Sequence, residues 1–92
     1  MKFGNRLKRI IACDAERLNV TLEFADGFRG TVDLAPLFRK RGRRLLPLEI
    51  LRGHLFDRCF VESGALAWPN GYELCPDALR ARITEQRRGR AA

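Results

Sequence analysis

The chain has 92 residues, 46% hydrophobic and 9% aromatic, a size and composition suited to one compact domain around one core. No apolar run approaches the roughly 20 residues of a membrane helix, and no secretion-type apolar segment follows the N-terminus, so a cytoplasmic protein without a membrane role is expected. The formal net charge of +7 invites a nucleic-acid reading, although a bias toward arginine reflects GC-rich coding as readily as a binding surface.

Arg6 to Cys13 reads as a first strand, with the consecutive Ile10 and Ile11 blurring its alternation and leaving its buried face open. Asp14-Ala15-Glu16 links it to the clearest segment, Arg17 to Phe24, where Leu18, Val20, Leu22 and Phe24 alternate with polar residues at the strand period of two. Phe28 to Leu34 alternates likewise, with Phe28, Val32 and Leu34 on one face. A two-residue Asp26-Gly27 loop would oppose Phe24 to Arg29 and set an apolar face beside a polar one. A three-residue loop with Gly27 in the left-handed region instead pairs Phe24 with Phe28, Leu22 with Gly30, Val20 with Val32 and Leu18 with Leu34. It also matches Glu23 with Arg29, Thr21 with Thr31 and Asn19 with Asp33 on the other face.

Ala35 to Arg39 is expected to form a short helix with Pro36 in its first turn. Arg39-Lys40-Arg41-Gly42-Arg43-Arg44 then reads as an exposed basic loop, Pro47 to Leu51 as a helical turn, and Leu55 and Phe56 as core residues. Cys59 to Glu62 and Ala65 to Trp68 flank Ser63-Gly64 as a second hairpin, with Cys59 and Val61 beside Trp68 and Leu66. After Pro76, residues Asp77 to Arg88 read as a helix, with Asp77 near its positive end and Leu79 and Ile83 sharing a face.

The fold class is therefore α+β: antiparallel hairpins (three N-terminal strands and a second hairpin near 58–68), short helices in the middle and a C-terminal helix. Residues 1–88 make a single domain, and 89–92 are expected to be a flexible basic tail. No internal repeat is evident. A chain this small buries a modest fraction of its surface, so pairing into a homodimer would help it.

Catalytic chemistry is not evident. His54 is the one histidine and Ser63 the one serine; no GxSxG motif surrounds Ser63, and neither GxxxxGK[ST] nor GxGxxG occurs. Cys13, Cys59 and Cys75 are an odd number without CxxC spacing, which reads as reduced core thiols and not as disulfides or a zinc site. No cofactor or metal ligand set is expected, and Asp26 and Asp33 belong to a turn and a strand end.

Phe24-Ala25-Asp26-Gly27-Phe28-Arg29-Gly30-Thr31-Val32-Asp33-Leu34 is similar to the central FxDGxxGxVDL pattern of the domain of unknown function 2442 family. Trp68-Pro69-Asn70-Gly71-Tyr72-Glu73-Leu74-Cys75-Pro76-Asp77-Ala78-Leu79 resembles that family's C-terminal signature. With Leu46-Pro47-Leu48 and Phe56 the resemblance covers roughly residues 7 to 80. It implies a small bacterial α+β protein with no established activity. For some members it implies a partner in an operon of toxin and antitoxin type.

Two functional expectations follow. The first is a non-catalytic interaction and regulatory module, antitoxin-like, binding another small protein through Trp68, Asn70 and Tyr72, although those residues also suit a core anchor and a tight turn. The second is nucleic-acid binding through Arg39, Lys40, Arg41, Arg43 and Arg44 with Arg80, Arg82, Arg87, Arg88 and Arg90 along the C-terminal helix, residues that equally suit solvated faces.

Overall fold

The computed structural model describes residues 5–39 and 45–91. Two three-stranded antiparallel sheets alternate with short helices. Strands β1 (Leu7–Asp14), β2 (Asn19–Phe24) and β3 (Arg29–Asp33) form the first sheet in that order. Helices α1 (Ala35–Phe38) and α2 (Leu45–Arg52) and a 3-10 turn (Phe56–Arg58) follow. Strands β4 (Phe60–Glu62), β5 (Ala65–Ala67) and β6 (Glu73–Leu74) form the second sheet, and α3 (Pro76–Ala91) closes the chain. This is the α+β arrangement of hairpins, central helices and C-terminal helix. Among the described residues, no helix is long and apolar enough to cross a membrane.

The β2–β3 register is the one the three-residue loop requires: Val20 faces Val32, Leu22 faces Gly30, and Glu23 faces Arg29. Gly27 sits at φ +94°, its N–H bonding the Phe24 carbonyl at 2.9 Å, while the Phe24 N–H reaches the Phe28 carbonyl at 2.8 Å. Thr21 and Thr31 join through their hydroxyls at 2.8 Å. The β2 ladder begins at Asn19, not Arg17, because Leu18 turns into the left-handed region at φ +58°.

Strand β1 resolves the question left by Ile10 and Ile11. Its pairing with β2 slips between Leu7 and Arg9 and again between Ile10 and Ala12. Each bulge adds one residue and restores the facing. Leu7, Ile10 and Cys13, three apart instead of two, thus all pack on the core, and Ile11 is left 41% exposed.

Three further boundaries differ from the sequence expectation. Helix α2 spans Leu45–Arg52, longer than Pro47 to Leu51. The second hairpin pairs from Phe60 opposite Ala67, with Val61 opposite Leu66 as expected, and gains β6, where Leu74 faces Leu66. Helix α3 continues through Gly89 to Ala91.

The core joins both sheets and all three helices. Val20, Leu22, Phe24, Val32 and Leu34 from the first sheet meet Ile50, Leu66, Trp68, Leu79 and Ile83, each fully buried or nearly so. Gly30 lets α3 approach, since a Cβ there would stand 2.6 Å from Ile83 Cγ2. The sheets meet where the Leu7 N–H bonds the Gly64 carbonyl at 2.9 Å, at the tip of the β4–β5 hairpin. Ser63 and Gly64 both take positive φ, 53° and 83°, as a two-residue hairpin turn of type I′ requires.

Candidate functional site

The same five-residue turn occurs twice, and each copy ties down one helix. In Phe24-Ala25-Asp26-Gly27-Phe28 and Trp68-Pro69-Asn70-Gly71-Tyr72, an aromatic residue opens and closes the loop and a glycine takes the left-handed position. Gly71 stands at φ +93° beside Gly27 at +94°. The Gly71 N–H bonds the Trp68 carbonyl at 3.0 Å, and the Trp68 N–H bonds the Tyr72 carbonyl at 2.9 Å, reproducing the first turn. Within each loop the Asx side chain accepts the N–H two residues on, Phe28 to Asp26 at 3.1 Å and Tyr72 to Asn70 at 3.2 Å.

The polar atoms left over reach a helix. Arg80 of α3 donates to Asp26 Oδ2 at 2.8 Å and lies over the Phe28 ring at 4.1 Å. Asn70 donates its amide to the Leu46 carbonyl at 2.9 Å and to Glu49 Oε1 at 3.3 Å, both on α2. Beneath α2, Phe38, Phe56, Trp68 and Tyr72 form one aromatic cluster with ring centroids 5.1 to 5.9 Å apart. Trp68 is 1% exposed and its ring N–H bonds the Phe56 carbonyl at 2.9 Å, the single partner that its burial demands. Asn70 and Tyr72 are half-buried.

Helix α2 buries Pro47 and Ile50, packs Leu51 against the core, and turns Leu45, Leu46 and Leu48 outward. Leu45 is 68% exposed, Leu48 40% and Leu46 39%. Three leucines on eight residues are more apolar surface than this helix can cover. The sequence hint was Leu45-Leu46-Pro47-Leu48, a run too apolar for an exposed turn; the side it presents depends on how Pro47, Ile50 and Leu51 meet the core, which no local pattern reveals.

The arginines are distributed. Arg80 is held by Asp26 and also donates to Asn5 Oδ1 at 3.2 Å. Arg87 donates to the Arg29 carbonyl at 2.7 Å and stands 5.1 Å from the Phe28 ring centre. Arg9 and Arg29 flank Glu23 at 2.6 and 3.6 Å, so the hydrogen bond from Arg9, helped by the charge of Arg29, holds the Glu23 carboxyl below its usual range. Arg39 and Arg88 are exposed and Arg82 is half-buried; Lys40, Arg41, Arg43 and Arg44 and the Arg90 side chain lie outside the described residues.

Reactive groups do not converge. Among the described residues no group of three or more His, Cys, Asp or Glu side chains could hold a metal ion. Burial pushes the Cys59 thiol up to about 12 and also raises Cys13, whose Sγ lies 3.7 Å from the Phe56 carbonyl. Such thiols stay protonated and unreactive at neutral pH. Cys75 is exposed just before α3. His54 and Asp57 stand beside a cleft of about 160 Å³ with Ile50, Leu51 and Phe56, smaller than the roughly 300 Å³ at which ligand pockets begin.

A family model described as "Protein of unknown function (DUF2442)" matches residues 11–85. Comparison with curated proteins and with solved structures gave no match. The chain belongs to the DUF2442 family, and both turns lie within the matched span.

Proposed function

We propose that this member of the DUF2442 family is a non-catalytic interaction and regulatory module, working in the cytoplasm by binding another small protein. The observation that carries the reading is the leucine face of α2, exposed at Leu45, Leu46 and Leu48 while α2 is tethered from below by Asn70. A helix held in place with its apolar side outward loses little conformational freedom on docking, which favours binding. Asn70 bonds α2 at Leu46 and Glu49, so the aromatic turn contributes chiefly by positioning α2. Exposed apolar surface of this kind marks protein contacts more often than chemistry. An antitoxin-like role, with the partner encoded beside this chain, is the form the reading takes.

The test is co-expression with the products of the adjacent genes. Co-purification of one of them in a stable complex, lost on Leu45→Glu, supports the proposal. A chain that copurifies with none of them contradicts it.

A further inference from the structure

The outer edge of β3 carries a second surface, independent of α2. Because Phe28 bonds Phe24 and Leu34 bonds Leu18 just before β2, the alternating ladder turns the backbone groups of Arg29, Thr31 and Asp33 away from the sheet. Side chains of α3 occupy the two ends of this edge. Gln86 Oε1 accepts the Asp33 N–H at 2.9 Å and its Nε2 donates to the Asp33 carbonyl at 3.1 Å, the two bonds that a neighbouring strand's residue would make. Arg87 donates to the Arg29 carbonyl at 2.7 Å. Between them Thr31 is exposed, and an open cavity of about 190 Å³ lies against it, lined by Thr31, Ile83, Gln86 and Arg87.

The strand is also complementary to itself. With Thr31 on a two-fold axis, antiparallel pairing of β3 with a second β3 sets Thr31 against its own copy and Arg29 against Asp33 on both sides. Opposite charges directly across a ladder favour that register. Asp33 uses Oδ1 to accept the Ala35 N–H at 3.0 Å, which leaves its other oxygen for the arginine. Such self-complementarity is what a two-fold interface demands.

We propose that β3 is a homodimerisation edge: two copies join at Thr31 into one six-stranded sheet, and Gln86 and Arg87 are internal competitors that cover the edge in the monomer. The side-chain caps weaken the dimer and protect the edge from indiscriminate strand addition.

Sedimentation across a concentration series tests this on the full chain. Wild type is expected to show a concentration-dependent dimer. Gln86→Ala, which removes a competitor, is expected to tighten it about tenfold. Thr31→Pro removes an N–H with no bond inside the monomer and is expected to leave only monomer, with the fold checked by circular dichroism. If that variant does not fold, amide exchange on wild type decides: the Thr31 N–H slows with concentration if the edge is the interface. Monomer throughout for both wild type and Gln86→Ala, a dimer that survives Thr31→Pro, or Thr31 exchange independent of concentration would each overturn the proposal. None of these outcomes bears on the leucine face of α2.

Discussion

His54 ends α2 in the left-handed region at φ +55°, where a glycine is the usual choice. The Leu55 N–H reaches the Ile50 carbonyl at 2.9 Å and the His54 N–H the Leu51 carbonyl at 3.3 Å, the paired bonds of a Schellman stop. The imidazole is exposed, so relief of the left-handed strain dominates and His54→Gly is expected to stabilise the fold by about 0.5–1 kcal/mol in chemical denaturation. Leu18 shares the backbone geometry at φ +58° but is 3% exposed, so Leu18→Gly is expected to destabilise by about 2 kcal/mol or more as its core contacts vanish. Charge acts locally in the same way. Hydrogen bonds from Arg9 to Glu23, and from the Phe28 N–H and Arg80 to Asp26, lower both carboxyls. Their stabilisation is present above the unfolded carboxylate values near about 4 and is lost as pH falls through the lower folded ones. Cys59 has the opposite sign: its folded pKa is raised to about 12, so its contribution is full below the unfolded thiol value and fades as pH climbs toward the folded one. Melting temperature against pH should therefore fall at both ends, and Cys59→Ala should flatten the alkaline limb.

At the scale of elements, the two aromatic-Asx-Gly-aromatic turns explain why short helices sit still. Asn70→Asp separates the roles: the carboxylate still accepts the Tyr72 N–H but can no longer donate to Leu46 and stands near Glu49. Amide exchange is expected to quicken in α2 while β2 and β3 keep their protection. Gly30→Ala probes the other helix, because the added methyl meets Ile83; a loss of about 1–3 kcal/mol is expected from overpacking. The β2–β3 register was legible because a period-two pattern on both strands admits only one loop length between Phe24 and Phe28. Strand β1 was legible as a strand but its buried face was not, since two bulges turn its period into three through Leu7, Ile10 and Cys13. Strand β6 escaped notice because Glu73 and Leu74 are too few to show alternation; the recurrence of aromatic-x-Asx-Gly-aromatic was in plain view and would have predicted it. Trp68 was readable as an anchor from its size. The outward leucines were not, because which side of an eight-residue helix faces the core is settled by tertiary packing of Pro47, Ile50 and Leu51, with Asn70, 24 positions after Leu46, adding a tether.

The whole molecule is a scaffold of two sheets with its polar groups answered internally: among the described residues no buried side-chain nitrogen or oxygen lacks a partner. Among the described residues α2 carries three of the five exposed large hydrophobics, and the net charge of +7 would draw an acidic partner toward the protein. Loss of packing and loss of binding can be told apart with one variant. The most direct measurement is titration of the co-purifying neighbour protein against wild type and the Leu45→Glu/Leu48→Glu variant, with denaturation of each alongside. Both leucines already face solvent, so stability is expected to move by no more than about 0.5 kcal/mol for each substitution while affinity drops about 100-fold or more. Undiminished affinity in a well-folded variant would contradict the assignment of α2 as the docking surface, and a large loss of stability would contradict the claim that these leucines stand outside the core.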